Sequence, residues 1–506
     1  MAELSAIERV LRAELGEVRA QLAEQRLANV LLVQENSALR EHDAALTAKL
    51  VALVEQVADL ERRVGQNPRN SHKPPSSEGY EKPAPRSRRE STDRRSGGQP
   101  GHEGTTLRQV HVPDEVVRHQ PAACSGCGTS LVDAPVVSVE TRQVFDLPEI
   151  ALRVVAHLLE HRRCGCGRVT MAGAGDGVPA GVGAPTQYGP GVRALASYLL
   201  TGQYLPLART SELLTELVGA PISQGSLAGW YLDAAAGLDP FLNAVTAGLQ
   251  AAPVLGADET GIRVDGALAW VHAARTDDLT LYTVSQRRGV EAMREAGVLP
   301  VLTPDTVLVH DFWSPYWTFD VTHAVCGAHL GRELVAAGEV AGQAGWAGGL
   351  DLLMREINRT TIAARQLNAD GLTDSLLATY RRRYDDLITA GWAANPDHHS
   401  GRSGKGRRPK HVNLLDRLDT HRDEVLRYAH NLNVPFTNNG SEQDVRPLKI
   451  RMKIAGCLRT MTGAEAFCRH RSYLSTARKQ GQSAFAALRM LHQNNPWIPA
   501  VPTTPG

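Results

Sequence analysis

Leu or Val occupies every seventh position from Leu4 to Leu60 with one break at Gln25: Leu4, Leu11, Val18, Leu32, Leu39, Leu46, Leu53 and Leu60. A second seam runs through Leu15, Leu22, Leu50, Val57 and Val64, interrupted by Asn29, Asn36 and Asp43. A helix with an apolar stripe at this spacing buries it best against another such stripe. A repeat sustained over about nine heptads therefore predicts a coiled coil over residues 1–66. At about 1.5 Å per residue it would reach roughly 90 Å, a lever able to hold two subunits apart. The competing arrangement is a long helix packed on its own chain, or two helices broken at the polar stretch. In the coiled coil the polar seam residues would set register and oligomer number, and the partner would be another copy, in a homodimer or higher oligomer.

Gly65 ends the repeat, and residues 67–108 have no hydrophobic period. Pro, Ser, Gly and Arg dominate, with Arg86, Arg88, Arg89, Arg94 and Arg95 close together. Such a composition buries too little surface to fold alone, so a basic disordered linker is expected: a solvated spacer, or an arm that orders on DNA. The whole chain is different, since 42% of its 506 residues are hydrophobic, enough for several cores. A net charge of +1 says nothing about partners, and 47 Arg among 55 basic residues fits coding bias as well as phosphate binding. Seven cysteines in so long a chain fit a reducing compartment. No apolar run approaches the ~18 residues that would span a bilayer, and the N-terminus lacks a signal-peptide profile. The expectation is a cytoplasmic, nucleoid-associated protein with no membrane partner.

Four of the cysteines form two close pairs, Cys124/Cys127 and Cys164/Cys166, within residues 109–172. Strand-like runs at Val136–Val139 and Leu152–Val155 lie between them. Paired thiolates on two turns suit tetrahedral Zn²⁺, so a zinc-ribbon-like, DNA-binding module with structural zinc is expected. The Cys-x-Cys pair is the less diagnostic of the two, and His119, His157 and His161 are nearby substitutes. Residues 185–240 read as helical. A helix around Leu207–Leu214, a turn at Gly219 and a second helix capped by Ser223 resemble a helix-turn-helix, though a plain helical bundle explains them equally. The second helix carries no Arg or Lys.

From residue 252 to 495 the pattern is strand-rich and then helical. One strand ends near Asp258-Glu259, and Asp265-Gly266 supplies a hairpin turn. Leu268–Ala274 and Leu279–Val284 follow as strands, then a helix around Val290–Ala296, a strand over Thr306–His310 and another over Thr322–Cys326. The order of three strands, helix, strand, helix, strand is that of a ribonuclease-H-like domain, in which the first and fourth strands are neighbours. Residues of about 333–433 read as a helical insertion with a basic loop at Arg402, Lys405, Arg407, Arg408 and Lys410. The Pro-rich tail, 496–506, is expected to be disordered. The fold class is thus multidomain α+β.

That topology would bring two strand-end carboxylates, Asp258 and Asp311, together, and Glu442 in Asn438-Asn439-Gly440-Ser441-Glu442 would join them from a helix. Three carboxylates form a hard-oxygen cage for Mg²⁺ or Mn²⁺ and leave positions open for phosphate. Two such ions can grip the attacking and leaving oxygens of a phosphodiester, with Asp258 assigned as the bridge. Arg446, Lys449, Arg451 and Lys453 follow within about three helical turns, and 446, 449 and 453 would track a phosphate backbone from one face. Pro447 would kink that helix. Cys326 and His329 could be taken for half a metal site, but no second pair accompanies them, and they are read as structural or hydrogen-bonding residues. The carboxylates alone do not separate a nuclease from a transposase.

Together these signatures resemble the insertion sequence 66 family of DDE transposases. The resemblance spans nearly the whole chain: the leading heptads, Asn-Ser-His-Lys-Pro-Pro-Ser-Ser at 70–77, Gly-Gly-Gln-Pro-Gly-His at 97–102, the cysteine pairs, Asp258-Glu259-Thr260, Asp311 and Asn-Asn-Gly-Ser-Glu at 438–442. It implies a bacterial enzyme that binds the terminal inverted repeats of its element and joins 3′ ends to target DNA. The acidic triad maps onto Asp258, Asp311 and Glu442, and a His-x-x-Arg element onto His329 and Arg332, with Asn438 and Asn439 framing the glutamate at the DNA. His72 stands where Ser is commoner, and Cys164-Gly165-Cys166 is one residue shorter than the usual second knuckle. Element-encoded accessory proteins are further partners that the resemblance suggests. The rival readings are a catalytically retired DNA-binding regulator and a structure-specific nuclease of the same fold.

Overall fold

A computed structural model of the chain describes residues 107–148, 150–179, 181–396 and 408–501, with isolated helical positions between Glu14 and Val57. The rest of the heptad segment, the linker before Leu107, the loop residues Arg402, Lys405 and Arg407, and the tail after Val501 lie outside the described residues. The architecture is mixed α+β. It divides into two compact units, one containing Gly331–Asp351 and Thr389–Leu414, the other Pro83–Leu330, Leu352–Ile388 and Leu415–Gly506. The sheet lies in the second.

The cysteine pairs sit on two turns of one kind. Strands β1 (His161–Arg163) and β2 (Val169–Met171) pair antiparallel around Cys164 and Cys166. Cys164 N–H donates to Arg168 O at 2.8 Å and Gly167 N–H to Cys164 O at 2.8 Å. At the other pair, Cys124 N–H donates to Thr129 O at 2.8 Å and Gly128 N–H to Cys124 O at 2.9 Å. Gly128 and Gly167 close the two turns at φ of +75° and +88°, a conformation glycine adopts without strain. The strands expected at Val136–Val139 and Leu152–Val155 are not formed. Val137 and Val154 are 97% and 88% exposed, so the burial that stabilises strand pairing is missing there.

Helices α1 (Pro190–Ser197), α2 (Leu207–Val218) and α3 (Gln224–Ala236) follow. Gly219 ends α2 at φ +65°, and Ser223 caps α3, its Oγ accepting Ser226 N–H at 3.0 Å. Leu214, Ala220, Ile222 and Leu227 pack the α2–α3 corner, giving the expected helix, glycine turn and capped helix. Ser223→Ala is expected to cost about 1 kcal/mol. Amides in the first turn of α3 should then exchange about fivefold faster, and an unchanged rate would remove the cap from the argument.

After α4 (Asp239–Gln250) comes the five-stranded sheet: β3 (Val254–Val264), β4 (Ala267–Arg275), β5 (Thr280–Ser285), β6 (Val307–His310) and β7 (Thr322–Val325), with α5 (Val290–Glu295) before β6. The strand order is β5-β4-β3-β6-β7, so the expected contact of first and fourth strands is present, and it is parallel. Asp265 and Gly266 turn the β3–β4 hairpin at φ of +49° and +74°. The link from β6 to β7 differs from expectation: it holds a 3₁₀ turn, Ser314–Thr318, instead of an α-helix. Proline at 315 and a crowd of aromatic rings suit that tighter winding.

The remaining helices are α6 (Gly327–Gly338), α7 (Ala344–Gln366), α8 (Asp374–Ala393), α9 (Lys410–Thr420), α10 (Arg422–His430), α11 (Asn439–Ala455), α12 (Met461–Lys479) and α13 (Ala484–Leu491). The described residues between about 333 and 433 are mostly helical, as read from the sequence. α11 continues through Pro447 without a break in its helical assignment. Leu255, Ala257 and Leu281 pack on Phe241, Val245 and Leu249 of α4, while Ile262, Val271 and Tyr282 pack on Leu448 and Phe467. The tail corrects a third expectation. Trp497 N–H donates to the Tyr473 hydroxyl at 2.9 Å and Ala500 N–H to Gln480 Oε1 at 3.1 Å, which ties the chain down as far as Ala500.

Candidate active site

Asp258 lies in the middle of β3, not at its end, because the hairpin with β4 prolongs the strand. Parallel pairing with β6 covers only Val254–Gly256, so Asp258 stands just past the point where that neighbour stops. Successive strand residues face opposite sides of a sheet. Gly256 faces Asn438 and Ser441 of the α11 segment, which puts Asp258 on the α11 side and Glu259 on the other. Burial pushes the Asp258 carboxyl well above the usual carboxylate range, and Glu259, Asp311 and Glu442 add to the rise by like charge. Asp311 and Glu442 are thus each within electrostatic reach of Asp258, but the oxygens of the three carboxylates do not all lie within 4.8 Å of one another.

Asp311 directly follows β6, and its Oδ1 accepts Trp313 N–H at 3.0 Å. The loop behind it is fastened by Glu259, whose side chain is 2% exposed. The Tyr316 hydroxyl donates to Glu259 Oε2 at 2.6 Å, and Arg288 donates to Oε1 at 2.5 and 3.1 Å. The Arg288 guanidinium lies 4.0 Å from the Trp313 ring centre and 4.6 Å from that of Trp270. Glu259 therefore clamps the Asp311 loop to the strand that bears Asp258. The sequence reading missed this role, although Glu259 directly follows Asp258.

Burial raises the Glu259 carboxyl above its ordinary value. The folded chain then binds this proton more readily than the unfolded one, so ionisation of Glu259 lowers stability as pH rises above the carboxylate range. Arg288→Ala is expected to cost about 1–3 kcal/mol at neutral pH, once the partial exposure of Arg288 is discounted. That deficit should shrink as pH falls toward the reference value of 4.5. Denaturant melts at several pH values test this, and a deficit independent of pH would remove Glu259 from the explanation.

Glu442 is in the first turn of α11, whose N-terminus docks on β3 through the preceding motif. Asn438 Nδ2 donates to Ala257 O at 2.7 Å, Asn438 N–H to Cys326 Sγ at 3.1 Å, and the Ser441 hydroxyl to Asn438 Oδ1 at 2.5 Å. Asn438 is 5% exposed, so its expected DNA contact is replaced by a structural one. Two of the basic residues are corrected in the same way. Lys449 Nζ donates to Gly261 O at 2.8 Å, and Arg451 donates to Gly456 O at 2.9 Å with its guanidinium 5.3 Å from the Phe467 ring centre. Burial pushes both pKa values down. Asn439, Arg446 and Lys453 are exposed on α11, and Arg332 lies three residues beyond His329 on α6.

Among the described residues, one group of three or more His, Cys, Asp or Glu has its ligand atoms within 4.8 Å of one another: Cys326, His329 and Glu442. His329 Nε2 is 3.7 Å from Glu442 Oε1. The cysteines 124, 127, 164 and 166 do not form such a group, so the two knuckles are shaped individually without converging. The Thr129 hydroxyl is the main cause that lowers the exposed Cys127 thiol to about 7, and the Cys166 backbone lowers that of Cys164, which favours thiolates at both turns.

A model of the transposase IS66 family matches residues 185–466, more than half of the chain, and encloses Asp258, Asp311 and Glu442. The chain belongs to the IS66 transposase family. IS66 membership indicates a DNA transposase, an enzyme that cuts and transfers DNA, and suggests use of a divalent metal. A second model, of a family of unknown function, matches residues 5–108, the heptads and basic linker that precede the IS66 region. No curated protein matches the chain. No helix among the described residues is long and apolar enough to cross a membrane.

Proposed function

We propose that this IS66 transposase binds the terminal inverted repeats of its element, releases their 3′ ends and joins them to target DNA at Asp258, Asp311 and Glu442. The observation that carries the reading is the coupling of a buried Asp258 to both Asp311 and Glu442 inside the region matched by the family. The sheet order and the placement of Asp311 after β6 support a ribonuclease-H-like catalytic domain. The donor chemistry fits Mg²⁺ or Mn²⁺: hard cations take carboxylate oxygens, and one held by Asp258, Asp311 and Glu442 would offset the like charge that helps raise Asp258. Bound there, such ions would neutralise the scissile phosphate and activate the attacking hydroxyl.

The protein's own groups do the positioning. Asp258 is fixed by the sheet, Asp311 by the Trp313 amide, and Glu442 by the docked N-terminus of α11. Arg446 and Lys453, exposed on α11, are suited to phosphates leading away from the carboxylates, and Asn439, His329 and Arg332 are further DNA contacts in this proposal. In the same reading the heptads bring copies together, and the two cysteine turns close on Zn²⁺ when the module engages DNA.

The test is cleavage of a duplex that carries the element's ends, with and without Mg²⁺. Metal-dependent nicking at the 3′ ends followed by joining is expected. Cutting of any duplex irrespective of its ends would point to a structure-specific nuclease, and binding without cutting to a regulator.

A further inference from the structure

We propose that Cys326, His329 and Glu442 form a Zn²⁺ site that competes with the catalytic metal for Glu442. The competition half of this inference rests on Glu442 serving that metal, as proposed above. The ligand atoms of the three residues already lie within 4.8 Å of one another, with 3.7 Å between the imidazole Nε2 and the carboxylate oxygen. With Zn–N, Zn–O and Zn–S bonds of about 2.0–2.3 Å, tetrahedral ligand–ligand separations are about 3.3–3.8 Å, which the His329–Glu442 pair already meets and the rest of the group would reach by closing by up to about 1 Å. Cys326 ends the β7 segment and His329 lies in the first turn of α6, so two of the three ligands come from one short stretch of chain.

Ligand chemistry separates the two metals. Mg²⁺ takes carboxylate and water oxygens and has little affinity for sulfur, whereas Zn²⁺ takes thiolate, imidazole and carboxylate together and keeps a fourth position for water. On binding, Zn²⁺ displaces the Cys326 thiol proton to solvent, His329 supplies a nitrogen lone pair, and Glu442 supplies a carboxylate oxygen. Glu442 is then held toward β7 and α6 and withdrawn from Asp258 and Asp311. Zinc is thereby an inhibitor that acts through a ligand of the catalytic centre.

The experiment loads full-length protein with Zn²⁺, removes the excess and counts metal per chain, comparing wild type with Cys326→Ser. Serine retains an acceptor for the Asn438 N–H, and His329→Asn serves as a second variant if the first does not fold. Wild type is expected to hold one more Zn²⁺ per chain than either variant. With Co²⁺ as the probe it should show a thiolate charge-transfer band that diminishes in Cys326→Ser. Equal metal content and equal spectra would overturn the site. In Mg²⁺-supported cleavage, the Zn²⁺ concentration that inhibits should rise by about 10- to 100-fold in Cys326→Ser, the usual scale for loss of support at a metal site. Equal inhibition of wild type and Cys326→Ser would overturn the competition. Failure of Mg²⁺ to support any cleavage would instead remove the catalytic reading and leave the metal count standing.

Discussion

Glu442→Gln should reduce 3′-end cleavage and strand transfer by about 100- to 1,000-fold, the scale on which removal of one preorganised electrostatic group acts. The amide keeps the shape but not the charge that holds a divalent cation. Affinity for the element's ends should be nearly unchanged, since phosphate contacts fall to exposed cations such as Arg446 and Lys453. Stability gives a second readout. Asp258 is buried and raised by its acidic neighbours, Glu442 among them, so removal of one charge relieves repulsion in the folded state. Without metal, the variant is expected to melt at or above the wild-type temperature. Lower melting combined with normal strand transfer would show that Glu442 serves the fold and not the chemistry.

Gly256→Ala is expected to damage stability and activity together. A Cβ at this position would stand 2.6 Å from Ser441 Oγ and 2.9 Å from Asn438 Oδ1. Neither group can swing aside cheaply, because the two are hydrogen-bonded to each other and Asn438 also holds Ala257 O. Overpacking of this kind costs about 1–3 kcal/mol, and a lost bond to a buried carbonyl adds about 1–3 more. The N-terminus of α11 would move outward with Glu442, and a displacement near 1 Å costs about 100-fold in rate. Gly229→Ala in α3 is the control, since nothing lies within 4 Å of the Cβ it would add. Thermal melts and cleavage assays on both variants decide the matter, and wild-type behaviour of Gly256→Ala would sink the docking argument.

The strands of the sheet were readable in the sequence because apolar runs, an Asp-Gly turn and alternation are local signals. So was the pairing of β3 with β6, which sets Asp258 on one strand and Asp311 just past the end of its neighbour. What escaped was set by partners distant in sequence. Asn438 and Lys449 look like DNA contacts in or beside a basic stretch, yet their hydrogen bonds go to Ala257 and Gly261. Glu259 was hidden by its neighbour, since only the two-residue period of a strand shows that adjacent acids face opposite sides. Its clamp on Tyr316 spans 57 residues and leaves no local trace. The strands expected between the cysteine pairs failed for the converse reason: β-branched residues were present, but nothing buries them.

Neighbouring segments finish one edge strand of the sheet and the unpaired stretch of a second strand. Along β5, the Ser472 and Thr476 oxygens of α12 accept the Tyr282 and Thr280 amides at 2.9 and 3.1 Å. Along the stretch of β3 that β6 does not reach, Asn438, Lys449 and the Leu458 amide take the carbonyls of Ala257, Gly261 and Arg263. Unpaired strand flanks are templates on which other chains polymerise. Here those places are taken by side chains and a short return of backbone, so copies gathered at high local density on DNA have little at these flanks to zip onto.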